Sequence, residues 1–121
     1  MMKILRQKTY SQSNFVKKIS DKLDNDKYLD YEVSDRIPKD SIGISADLNH
    51  LEIYIPESME FDQYYIDDYI RENVPFSRTT VRFDRNIYVM TISRKLTEAQ
   101  YIKLIKYFIN EYEFCVIVDN H

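Results

Sequence analysis

Glycine occurs once in the 121 residues, at Gly43, and proline only three times. That scarcity excludes the P-loop and the dinucleotide-binding fingerprint, which both need several glycines at fixed spacing to bring backbone N–H groups onto a phosphate. It also excludes flexible linkers, collagen-like repeats and low-complexity tracts. A single cysteine, Cys115, cannot form an internal disulfide. Histidine occurs only at His50 and His121, and nothing has the spacing of a zinc site, so neither a metal nor a cofactor is expected. Tryptophan is absent. No N-terminal stretch has the apolar run of a signal peptide or a membrane span, so a soluble cytoplasmic protein is expected.

What remains is enough for one core. At 44% hydrophobic residues the chain reads as a single domain over 1–121, with a helical N-terminal extension at 1–41 and an α/β sandwich core at 42–118. Charged residues make up 31%, mixed in sign, with a net charge of −3. That balance argues against a general nucleic-acid binder, which most cheaply neutralises phosphates with a strongly basic face. Tyrosine is frequent, at 11 residues. An AT-rich coding bias explains such usage as readily as a binding surface does.

Periodicity supplies the elements. Residues 3–10 fit a short strand or an extended arm. From Ser11 to Asn25, Phe15, Val16, Ile19 and Leu23 share one side of a helix. Residues 26–41 read as a connection with Tyr28, Leu29, Tyr31 and Val33 as anchors. Ile42 to Ala46 and Leu51 to Ile55 alternate as strands around the turn-like Asp47-Leu48-Asn49-His50, and Pro56 ends the second. A helix is expected over 61–73, with Phe61, Tyr65, Ile66, Tyr69 and Ile70 inward and Asp67, Asp68, Arg71 and Glu72 outward. Pro75 stops it.

Strands at Thr79 to Asp84 and Ile87 to Ser93 flank a tight Arg85-Asn86 reversal, the second strand central because it is apolar on both sides. Thr97 and Gln100 form a capping box for a helix carrying Tyr101, Ile102, Ile105, Ile109 and Tyr112, and Phe114 to Val118 closes as a strand. The fold class is therefore α+β. The order from Leu51 to Val118 is that of a ferredoxin-like βαββαβ core, with both helices on one face, an N-terminal helix and one extra strand at Ile42 to Ala46 still to be placed.

Three surfaces carry chemistry. Glu57, Glu60, Asp62, Asp67, Asp68 and Glu72, interleaved with Tyr64, Tyr65 and Tyr69, form an acidic, tyrosine-rich stretch, of which Tyr64 and the six carboxylates are the candidate partner-binding residues. Its plain reading is a solvated helix face; its sharper reading is a surface that docks onto a basic groove, with carboxylates imitating phosphates and tyrosine supplying rigid contact area. Tyr54, Arg82, Tyr88 and Arg94 fit the alternative of a single-stranded RNA-binding sheet, although the glycine-and-aromatic signature of the RNA-recognition motif is not matched by residues 86–92. His50, in a turn between strands and near Asp47, is the candidate general base of a nuclease-type enzyme, the second alternative. Cys115, inside an apolar strand, reads as an inert thiol, and no catalytic residue is assigned in the leading reading.

The opening Met2-Lys3-Ile4-Leu5-Arg6-Gln7-Lys8-Thr9-Tyr10-Ser11 resembles the start of small accessory proteins of phages and mobile elements of low-GC Gram-positive bacteria. That resemblance implies a context in which inhibitors of host defence, anti-CRISPR proteins among them, are common. It carries no residue-level roles. With it, the leading expectation is a non-catalytic module that binds a bacterial nucleic-acid-handling defence effector. Exposed strand edges also permit a homodimer.

Overall fold

The computed structural model describes residues 13–23, 29, 31–112 and 115–119. The expected arm at residues 3–10 lies outside them. Three helices, α1 (Asn14–Leu23), α2 (Gln63–Asn73) and α3 (Glu98–Tyr112), alternate with six strands: β1 (Tyr31–Ser34), β2 (Ile42–Ser45), β3 (Glu52–Pro56), β4 (Thr79–Asp84), β5 (Ile87–Ile92) and β6 (Cys115–Val118). The class is α+β, as expected.

Local chemistry sets the helix starts. Asp62 has extended backbone, and its carboxylate accepts from the N–H groups of Tyr64 and Tyr65 at 3.0 and 3.1 Å. Two of the orphan donors that begin α2 are thereby satisfied. The capping box of α3 forms in both directions: Gln100 N–H donates to Thr97 Oγ1 at 3.2 Å, and Thr97 N–H donates to Gln100 Oε1 at 2.8 Å. Arg85 and Asn86 sit at φ 50° and 67°, the two left-handed residues that a two-residue hairpin matched to strand twist requires. In the β2–β3 turn, Asp47 Oδ1 accepts from Asn49 N–H at 2.8 Å and His50 N–H at 3.2 Å.

The strands form one mixed sheet in the order β1-β6-β2-β3-β5-β4. A ferredoxin-like core would set β6 directly beside β3. Instead β2 lies between them, antiparallel to β3 and parallel to β6, and β6 pairs on its other side with β1, also parallel. The antiparallel set β3-β5-β4 keeps the expected arrangement. The extra strand is therefore internal, and the segment read as a mere connection supplies an edge strand in Tyr31–Ser34. The most completely buried strand is β6, with all four residues buried, whereas β5 keeps three residues only half-buried. A parallel strand covered on both faces reads as a continuous apolar run, which is what Cys-Val-Ile-Val provides.

All three helices pack on one face. Val16, Ile19 and Leu23 of α1, Ile66 and Ile70 of α2, and Tyr101, Leu104, Ile105, Phe108 and Ile109 of α3 share a core with Tyr31, Ile42, Ile44, Ile53, Ile55, Met90, Cys115 and Ile117. The opposite face holds a smaller cluster of Tyr54, Val89, Val116 and Val118. The 35–41 segment crosses there, because Pro38 Cδ lies 3.1 Å from where a Cβ on Gly43 would sit. Val118 and Tyr54 crowd the same point at 3.1 and 3.2 Å, so the only glycine stands where a side chain would meet three neighbours. Two crossovers of one hand between strands of the same direction must take opposite faces when they move in opposite senses across the sheet. The β5-to-β6 connection, through α3, takes the helical face, and the β1-to-β2 connection takes the other.

Candidate functional site

Helix α2 has one buried and one outward side. Ile66 and Ile70 enter the core. Tyr64 and Tyr65 are 82% and 65% exposed, and Asp68 and Glu72 are exposed along the same side. A four-residue step aligns Tyr64, Asp68 and Glu72 in a row. The inward placement expected for Tyr65 does not hold: Ile66 and Ile70 already fill the seam against the sheet, and Tyr65 points to solvent. It lines a shallow cleft of about 290 Å³ with Asp68, Tyr69 and Glu72. Tyr69 closes one wall by stacking on Tyr107 of α3, centroids 4.0 Å apart and planes 13° from parallel. Burial first, and then the Glu72 carboxylate, raise the Tyr69 phenol above its ordinary pKa. Burial likewise pushes Tyr107 to about 12. Both rings thus remain neutral and available as apolar contact area.

The acidic residues have different employments. Asp62 is the helix cap. Asp67, expected outward, has a side chain only 16% exposed; it accepts from Thr79 Oγ1 and pairs with Arg71 Nη2 at 3.1 Å, fastening α2 to β4. Glu57 and Glu60 are exposed in the loop leading into the helix. Of the seven candidate residues in the sequence stretch, the structure assembles Tyr64, Asp68 and Glu72 into one face and gives Asp62 and Asp67 structural partners. Tyr65, Tyr69 and Tyr107 complete the face. Tyr107 could be anticipated only from its helical position, one turn before Glu111 on α3.

The residues of the RNA-binding alternative do not converge. Tyr54 and Arg82 lie in one cross-strand row on the face away from the helices, through Tyr54↔Val89 and Arg82↔Val89. Tyr88 is on the helical face, packed against Phe61 and Phe83 with centroids 5.4 and 4.9 Å away. Arg94 lies over the Phe76 ring at 5.7 Å and donates to the Pro75 carbonyl at 3.2 Å, beyond the end of α2.

Glu52, which the sequence did not single out, is the hub of the open face. Its carboxylate pairs with Arg82 Nη2 at 3.0 Å, accepts from Tyr54 Oη at 3.2 Å and lies 4.0 Å from His50 Nε2. Burial, then the Glu52 charge and hydrogen bond, push the Tyr54 phenol to about 12. His50 is 66% exposed at its side chain, beside a cleft of about 250 Å³ that Ser45, Asp47 and Asp119 also line. Here a carboxylate is neutralised by a guanidinium and accepts a hydrogen bond from a phenol, an arrangement that ties β4 to β3 across β5. A general base would need its lone pair aimed at a substrate instead.

A third cleft, about 580 Å³, lies where Pro38 and Lys39 of the crossover approach Pro56, Glu57 and Arg85. Cys115 is fully buried, and burial pushes its thiol to about 12, in keeping with an unreactive side chain. Among the described residues no group of three His, Cys, Asp or Glu side chains is placed to hold a metal ion, and no helix is long and apolar enough to cross a membrane. No protein-family model, curated protein or solved structure matches the chain.

Proposed function

We propose that the chain is a non-catalytic protein-binding module that lays the outward face of α2 into a basic, nucleic-acid-binding groove of a bacterial protein. This is the mode of action of a phage or mobile-element inhibitor directed at a host defence effector, of which anti-CRISPR proteins are one kind. The observation that carries the reading is the row Tyr64, Asp68 and Glu72, flanked by exposed Tyr65. Carboxylates one helical turn apart, between aromatic rings, offer a basic groove both charge and rigid contact area. The mechanism is occlusion: the groove is filled, and its nucleic acid is kept out.

Asp68→Lys combined with Glu72→Lys tests this. Neither side chain supports the core, so the variant keeps its fold. A tagged wild-type chain is expected to capture a nucleic-acid-binding protein from a Gram-positive bacterial lysate, with capture reduced by competing RNA and lost in the double variant. Equal capture by both forms would refute the α2 reading. RNA binding by the sheet requires Tyr54 and Arg82 to leave Glu52, and for that reason it ranks second.

A further inference from the structure

Among the described residues, β4 lies at one edge of the sheet, with β5 on one side and no strand on the other. Edge strands are ordinarily blunted by shortness, proline, lysine, bulges or a covering element. β4 is six residues long, Thr-Thr-Val-Arg-Phe-Asp, with an unbroken register against β5. Phe83 is 53% exposed.

The outward backbone groups follow from the hairpin. Ser93 N–H donates to the Arg78 carbonyl at 2.9 Å, and Arg78 N–H donates to Ser93 Oγ at 2.8 Å, so Arg78 turns its backbone toward β5. Antiparallel pairing alternates along the strand. Thr80, Arg82 and Asp84 therefore also turn inward, while Thr79, Val81 and Phe83 present their N–H and C=O groups outward.

We infer that this edge binds a second copy of the chain, β4 against β4, antiparallel about a two-fold axis at Val81. Charge selects that register. Centred on Val81, the two strands overlap over residues 78–84. Arg78 then faces Asp84 of the second copy at both ends, Thr80 faces Arg82, and Thr79 faces Phe83. Centring on Arg82 or Asp84 sets like charges directly opposite. Centring on Thr80 sets Arg78 against Arg82, and centring on Phe83 leaves only residues 82–84 overlapped. The Val81 register also joins Thr79, Val81 and Phe83 to their counterparts through about six backbone hydrogen bonds. Arg78 and Asp84 are both exposed and absent from the core. The joined sheet is continuous across the two copies and presents both α2 helices on the same side, although the dimer does not depend on what α2 binds.

Sedimentation equilibrium of the full chain tests the register. The wild type is expected to dimerise, and Arg78→Asp or Asp84→Arg alone to weaken the dimer by roughly tenfold or more through like charges at both ends. Arg78→Asp together with Asp84→Arg restores it, because reversing both partners recreates the attraction. Circular dichroism confirms that each variant is folded. A wild type that stays monomeric from micromolar to millimolar concentration overturns the inference. So does a dimer indifferent to the single reversals, or a double variant that fails to recover.

Discussion

Arg82 reaches across β5 to place its guanidinium 3.0 Å from the Glu52 carboxylate, and the Tyr54 hydroxyl completes the cluster from the same side. The contact ties the edge strand to the middle of the sheet on the face the helices leave open. Glu52→Ala is expected to destabilise the fold by about 1–3 kcal/mol, since it strips the partner from Tyr54 and Arg82. It should also increase binding of single-stranded RNA at low salt, as an uncompensated arginine and a tyrosine are released on one surface. Urea denaturation and fluorescence anisotropy measure the two effects. If RNA binding is strong in the wild type and lost in Tyr54→Ala, the sheet rather than α2 is the functional surface.

Gly43→Ala should cost about 1–3 kcal/mol, because the new methyl meets Pro38, Val118 and Tyr54 at 3.1 to 3.2 Å. Pro38 belongs to a connecting segment and can yield more readily than Val118, which sits inside the sheet. Pro38→Ala in the Gly43→Ala background is therefore expected to recover part of the loss, read as a shift in the urea midpoint. Full wild-type stability in Gly43→Ala alone would contradict the crossover's placement.

Asp67 and Asp68 are adjacent in sequence and opposite in role. Asp67→Ala removes the acceptor for Thr79 and the partner of Arg71. A loss of about 1–2 kcal/mol is expected, while Asp68→Ala changes stability by no more than about 0.5 kcal/mol. Partner capture should show the reverse order, with Asp68→Ala the more damaging once stability is taken into account.

Alkaline pH should unfold the protein through groups that burial keeps protonated. Cys115 is raised from 9.0 to about 12, and Tyr54 from 10.0 to about 12. The folded state holds these protons more tightly than the unfolded chain does, so their stabilisation is complete below pH 9 and drains away as pH climbs toward 12. Cys115→Val is expected to move the onset of the decline from about pH 9 to about pH 10, the point at which unfolded tyrosines ionise. Chemical denaturation at stepped pH reads the onset.

The sequence was most legible where interactions are local. The capping box at Thr97 and Gln100 and the Arg85-Asn86 reversal each lie within a few residues, and each forms as its pattern indicates. The seam of α3, by contrast, is rotated from the expected one: Leu104 and Phe108 are buried with Tyr101, Ile105 and Ile109, and Ile102 and Tyr112 are only half-buried. Tyr31–Ser34 was read as a connection because four residues between polar stretches give too short an alternation, and its partner is Cys115–Val118. The insertion of β2 has the same cause: strand order is decided by which apolar faces match, a property periodicity does not report. At the candidate site, spacing located the carboxylates of α2 but could not separate Asp67, held by Thr79 and Arg71, from free Asp68. The Glu52 hub draws on β3, on β4 two places away in the sheet and on the turn at His50, and only the assembled sheet brings them together.

The position of β6 between β1 and β2 also orders events in time. On a ribosome, Tyr31–Ser34 and Ile42–Ser45 emerge long before the strand that fits between them, and until it arrives each presents an unfilled edge in the nascent chain. The β3-β5-β4 antiparallel set can close earlier, because its pairings are nearer in sequence. A stalled or truncated translation product lacking Cys115–Val118 would then hold one finished half and one open slot. Such a fragment is a natural client for chaperones or for cleavage, so the cell receives a working sheet only once synthesis has passed Val118.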